Sequence, residues 1–196
     1  MLFRSIEVFK ANTEPGERIT VRQGDALDLG FIPADTYDVT LLFGPMYHLY
    51  TEDDAKRAMS EAIRVTKPGG IVFAAYITND SVVCHFGFKR GGFEGGRYDH
   101  LIDHDTFKLY STPEEIMQMY RKEEIDDLMK GFDVERLHYV GVDMLTYMMQ
   151  ERIDEMSDEM FDMYMRYVFS SCERPDTVGL SNHVLDIFRK KENAKS

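Results

Sequence analysis

Apolar and polar positions alternate along this chain with two different periods. Ser5 to Asn12 places Ile6 and Phe9 on one face, which predicts a short helix. Thr13 to Glu17, with Pro15 and Gly16, is turn chemistry. Arg18-Ile19-Thr20-Val21-Arg22 alternates with β-branched residues, the pattern of a strand, and Gly24 to Leu29 follows as a loop. Tyr37 to Phe43 becomes apolar on both faces towards its end, as a central parallel strand does, and Gly44-Pro45 closes it. Thr51 precedes Glu52, Asp53 and Asp54, an N-cap with acids at the positive end of a helix dipole. That helix is predicted to run to about Val65 and to turn Ala55, Ala58, Met59, Ala62 and Ile63 inward, until Lys67-Pro68-Gly69-Gly70 stops it. Ile71 to Ile77 reads as a second buried strand. Strand, helix and strand in succession are a βαβ unit, so the fold class is α/β.

Thr78 to Ser111 breaks this rhythm and is rich in Gly, Asp and His. Thr112, with Pro113 at the first position and Glu114 and Glu115 after it, predicts a helix reaching about Lys130. Gly131-Phe132-Asp133-Val134 leads into a strand through Tyr139. Asp143 to Phe169 is a long amphipathic stretch crowded with Met, Tyr and Phe. Its default reading is helix packed over the sheet as core, with a substrate lid as a second role. Arg174-Pro175-Asp176 is a turn, Asn182 to Arg189 a last strand, and Lys190 to Ser196 a solvated basic tail. No repeat or long linker divides residues 1–196, which read as a single domain, with 78–130 and 143–172 as insertion or lid segments.

Composition narrows the partners. Lys and Arg total 23 against 35 Asp and Glu, a net charge of −12 over 196 residues, and a field of that sign repels phosphate backbones and anionic membranes. No apolar run approaches the roughly 20 residues that cross a bilayer, and Met1 to Lys10 has no signal-peptide core. Cys84 and Cys172 lie far apart and make no disulfide framework, which fits a reducing, cytoplasmic setting. They read as free structural thiols.

Three segments come in a telling order: Val21-Arg22-Gln23-Gly24-Asp25-Ala26, Tyr37-Asp38-Val39-Thr40-Leu41-Leu42, and Arg64-Val65-Thr66-Lys67-Pro68-Gly69-Gly70. With Gly131-Phe132 and Asn182-His183-Val184-Leu185 further on, the chain resembles a class I S-adenosylmethionine-dependent methyltransferase of small-molecule type. The resemblance implies a Rossmann-like sheet, S-adenosylmethionine as cofactor, and direct methyl transfer to a small-molecule acceptor. One part of the family's pattern has no counterpart here. Members begin with a strand, a Gly-x-Gly-x-Gly turn and a second strand ending in a ribose-binding acid. Neither strand precedes Ser5, and Gly91-Gly92-Phe93-Glu94-Gly95-Gly96 has the wrong spacing to replace the turn. The expectation is a methyltransferase sheet missing its first two strands, N-terminally truncated, with a helical insertion or lid. A strand that has lost its neighbour exposes backbone donors and acceptors, so a rearranged sheet or a homodimer covering that edge is expected. The competing function is a truncated, non-catalytic homologue that acts through protein–protein contact.

The resemblance also nominates residues. Asp25 would accept from the adenine amino group and Ala26 offer its backbone, although an Asp at a strand end also forms Asx turns. Phe43 and Gly44 would lie near the methionine part of the cofactor, with Tyr47 and His48 near the acceptor. His48 is a candidate general base; the plainer reading is a hydrogen-bonded loop residue. Lys89, Arg90 and Arg97 read as a mobile surface loop first and an anion clamp second. His100 and His104 sit i, i+4 among Asp99, Asp103 and Asp105, yet no third soft ligand accompanies them, so no metal is expected.

Overall fold

The computed structural model describes residues 2–114 and 117–192. Helix α1 spans Leu2–Ala11, strand β1 Tyr37–Leu42, helix α2 Glu52–Val65 and strand β2 Thr66–Thr78. A four-residue helix α3, Asn79–Val82, opens the irregular segment, and a two-residue strand β3, Met119–Tyr120, ends it. Then come α4 (Lys122–Met129), β4 (Val134–Gly141), α5 (Thr146–Asp154), α6 (Asp158–Ser171) and β5 (His183–Lys190).

The sheet runs β1-β2-β5-β4. β1 is parallel to β2, whereas β5 is antiparallel to both β2 and β4. Ile77 pairs with His183 on one edge of β2 and with Met119 on the other, so β3 lies beyond the end of β1. On one face, Val72, Ala74 and Tyr76 of β2 and Val184 and Phe188 of β5 are buried against Ala55, Ala58, Met59 and Ala62 of α2 and Ile125 and Leu128 of α4. Asp186 is buried on that face and is gripped by Arg136 through two 2.8 Å bonds. The opposite face is less covered: Ile71, Phe73, Ala75, Leu185 and Ile187 are half-buried and Val39 and Leu41 exposed.

α2 forms as its sequence predicts. Thr51 Oγ1 accepts from Asp54 N at 3.1 Å, and the helix ends at Val65. Lys67 to Gly70 bulges out of β2, whose register against β1 jumps from Tyr37↔Thr66 to Val39↔Ile71. Gly69 takes φ +78°, and a Cβ on Gly70 would stand 2.7 Å from Thr66 Cγ2 and 2.9 Å from Asp38 O.

Five expectations are corrected. Arg18 to Arg22 forms no ladder, because no strand lies beside it among the described residues. Among the described residues β1 pairs only with β2, so it is an edge strand and not a central one. The helix predicted from Thr112 starts instead at Lys122, because Met119 and Tyr120 are drawn into the sheet and buried; Glu115 lies outside the described residues. The 143–169 stretch is two helices, broken where Ser157 caps α6 through Met160 N. Of α6 only Val168 and Ser171 are buried, while Phe161, Met163, Tyr167 and Phe169 are exposed, so α6 is mostly not core, whereas Met144 ahead of α5 is. Lys190 belongs to β5 and bonds Asp35 and the Thr66 carbonyl, whereas 193–196 lie outside the described residues.

Candidate functional site

The Gly24–Pro33 loop is held by one face of α2. Arg57 donates to Leu27 O at 2.7 Å, and Arg64 donates to Leu29 O and Ile32 O, both at 2.9 Å. Glu61 accepts from Leu29 N at 2.7 Å and pairs with Arg64, whose guanidinium holds the Glu61 carboxyl below its ordinary value. This clamp sets Asp25 and Ala26 in the wall of a groove of about 630 Å³. The other wall carries Thr40, Leu41 and Leu42 of β1, and Pro45 closes one end. Asp25 Oδ1 accepts from Leu27 N at 3.0 Å, an Asx turn. Arg22 lies 3.7 Å from the centre of the Phe31 ring at the groove's outer side.

The loop after β1 turns at Gly44, whose φ of +117° is glycine's territory. Pro45–His48 is a single tight turn in which Met46 is fully buried. Tyr47 O accepts from Gln118 N at 3.0 Å, and Tyr120 Oη donates to Met46 O at 3.0 Å, which ties this loop to β3. Pro45 faces the groove, and His48 and Tyr50 line a second hollow of about 500 Å³. Tyr47 packs edge-on to His48 with ring centres 5.1 Å apart. Phe43 is exposed and lines neither hollow. Thus Asp25 and Ala26 come together in the groove, and His48 lies in the cavity beside it.

The cavity sits at the carboxyl ends of β2 and β3, where open α/β sheets hold ligands. Ile77 and Met119 form its floor, and Leu101 and Leu109 its inner wall. Asn79, fully buried, pins that wall: it donates to Phe107 O at 2.9 Å and accepts from Leu109 N at 2.8 Å. Lys108 turns inward to Met119 O and Glu124 at 2.9 and 2.5 Å. Lys89 donates to Met148 O, and Arg97 lies over the Tyr98 ring, so these two side chains are engaged by neighbours. His100 and His104 share no helical face, because 99–101 is one short turn followed by an extended bridge at Ile102. Among the described residues no three His, Cys, Asp or Glu side chains are arranged to hold a metal ion.

A further constellation joins positions 40 residues apart. Asp143 Oδ2 lies 2.7 Å from His183 Nδ1, and Asp143 Oδ1 accepts from Ser181 Oγ and Asn182 N, both at 2.7 Å. Burial alone would raise the Asp143 carboxyl, but the bonds from His183 and Ser181 outweigh it and hold the carboxyl low. An ionised carboxylate only accepts, so the His183 Nδ1 that faces it carries the hydrogen. His183 is half-buried, faces Ile77 across the β2–β5 ladder, and adjoins Asn182 in the cavity wall. Periodicity carried no sign of this pairing; the one available signal was Ser-Asn-His at the mouth of a strand.

With this geometry in hand, the chain's relatives can be placed. A family described as "Methyltransferase domain" matches residues 4–70. No curated protein matches the sequence. A SAM-dependent methyltransferase of Methanosarcina mazei superposes with a TM-score of 0.52 at 12% identity, over 95% of this chain and 76% of that one. A Pyrococcus horikoshii protein gives 0.53 at 13% identity, over 96% and 66%. A chain solved in complex with the Haloferax volcanii Trm112 methyltransferase activator gives 0.54 at 12%, over 97% and 69%. This chain therefore spans two-thirds to three-quarters of the length of these structures. No helix among the described residues is long and apolar enough to cross a membrane.

Proposed function

This chain resembles the class I S-adenosylmethionine-dependent methyltransferases in both its sequence match and its fold, and from that premise we propose that it transfers a methyl group to a small-molecule acceptor. The observation that carries the proposal is the loop after β1. It borders the groove through Pro45 and the cavity through His48 and Tyr50, so a donor and an acceptor seated in the two hollows would meet across one wall. Direct displacement asks chiefly for that alignment.

The groove fits the proposed cofactor in kind. It offers one carboxylate and apolar surface from Ala26 and Phe31. S-adenosylmethionine, when bound, supplies an electrophilic methyl group. The remaining roles fall to the chain: Asp25 accepts from the adenine amino group and Ala26 presents backbone, while Phe43 and Gly44, outside the groove lining, would reach the methionine portion only where it extends past Pro45. Tyr47 positions His48, and His48 takes the acceptor's proton. The Asp143–His183 pair is a rival base, favoured by its 2.7 Å orienting bond. Methyl transfer assayed against pH separates the two. His48→Ala abolishes the acidic limb of the profile, where a protonated base is idle, if His48 is the base, and His183→Ala does so if the pair is.

A second reading has its own observation. β1 presents Val39 and Leu41, both more than half exposed, beside an unpaired edge. We read this edge as the contact of a homodimer, or of a non-catalytic interaction protein of methyltransferase descent. Light scattering across a concentration series tests it; a monomeric mass at every concentration argues against the dimer.

A further inference from the structure

The cavity next to the β1 loop is chemically unlike the rest of this molecule. The chain is 30% charged, yet among the described residues no Asp, Glu, Lys or Arg lines this hollow. Its depth is aliphatic, with Ile77, Leu101, Leu109 and Met119 all under a tenth exposed. Aromatic rings from Phe86, Phe93 and Tyr98 supply the sides. Its hydrogen-bonding side chains are His48, Tyr50, Tyr98 and Asn182.

Four neighbouring cations are turned elsewhere. Lys108 is buried against Met119 O and Glu124, and Lys89 reaches the Met148 carbonyl. Arg121 pairs with Asp80 and bonds the Thr106 carbonyl, and Arg97 stacks on Tyr98. A carboxylate or phosphate entering this cavity would shed its hydration and meet no compensating charge, which is costly. An ammonium would meet no carboxylate. The volume of about 500 Å³ lies within the range of small-molecule sites and admits a body of two fused rings.

We propose that this cavity takes a neutral, ring-bearing alcohol or amine, its ring against the aliphatic and aromatic walls and its one polar group turned to the His48 end. The inference rests on the reading of this hollow as the acceptor site and names the acceptor's chemical class. It excludes anionic acceptors, and with them the anion clamp of Lys89, Arg90 and Arg97.

Isothermal titration of the full chain with 2-naphthol and with 2-naphthoate tests it, since the two probes share a ring system and differ in charge. The expected result is 2-naphthol binding at least tenfold tighter than 2-naphthoate. Tyr50→Lys and Val82→Lys each place a cation in the lining, and each is expected to shrink that ratio at least threefold. Circular-dichroism melting confirms which variants are folded, and Tyr50, half-buried at the wall, needs no room inside. Equal or tighter binding of 2-naphthoate, no binding of either probe, or a ratio unmoved in a folded variant would overturn the proposal. Neither probe requires a methyl donor, so a failure to bind S-adenosylmethionine would strike the methyl-transfer reading and leave this result standing.

Discussion

The two hollows on either side of the β1 loop are built to different standards. The cavity stands on β2, which is paired along both edges, with its walls locked by Asn79, Lys108 and Tyr120. The groove stands on an edge strand, and its far wall is a loop that forms no ladder and is held only where α2 reaches it. The difference shows what strand pairing supplies. Residues 18–22 carry three β-branched side chains and 37–42 only two, yet only the second segment has a partner. A ladder turns side-chain alternation into a rigid face; without one, the same alternation yields an extended segment with Ile19 in solvent.

If that contrast is right, changes on the cavity side cost more than changes on the groove side. The largest effect is expected for Asn79→Ala, which strands the Leu109 N–H and the Phe107 carbonyl in a buried place. Urea unfolding is predicted to show a loss of about 3 kcal/mol. Next comes Asp143→Asn, predicted to cost about 2 kcal/mol near neutral pH, because charge-assisted bonds to His183, Ser181 and the backbone are weakened. Asp143 is held below its ordinary carboxyl value, so its stabilisation is fully present above the unfolded value of about 3.9. It fades as pH falls from there through the lowered folded value, and the wild type and variant are expected to converge in acid. A gap that stays constant down to acid pH would contradict this.

Gly70→Ala sits where the two regions meet, at the β1–β2 bulge. Its added Cβ would crowd Thr66 and the Asp38 carbonyl, and thermal melting is predicted to reveal a loss of about 1–2 kcal/mol. The smallest effect is expected at the edge itself. Leu41→Lys leaves monomer stability within about 0.5 kcal/mol, since the side chain is already 58% exposed. The same change is predicted to lower the solution mass if this edge joins two copies. A large destabilisation without any change in mass would mean that the edge is packed within one chain.

Local chemistry was the legible part of the sequence. Thr51 and the acids after it mark the start of α2, Lys-Pro-Gly-Gly marks where that helix gives way to the next strand, and the apolar run Ile71–Ile77 marks the buried strand. Features that depend on a distant partner were not legible. Met119 and Tyr120 sit in a helix-like run and become strand only because Ile77 and Thr78 offer an edge. The Met and Tyr residues of α6 have helical spacing whether or not anything covers them, so periodicity alone could not show that they stay exposed. At the site, the Gly-Asp-Ala loop and the turn after β1 could be read from residue order. The Asp143–His183 bond could not, because it joins two strand ends that are adjacent only in the folded sheet.

The central claim is that the groove beside this cavity holds S-adenosylmethionine. Isothermal titration of the chain with S-adenosylmethionine tests it most directly, with Asp25→Ala as the control. The account predicts saturable binding, one ligand per chain, weakened about tenfold by Asp25→Ala through loss of a charge-assisted hydrogen bond. No heat of binding at millimolar ligand would contradict it.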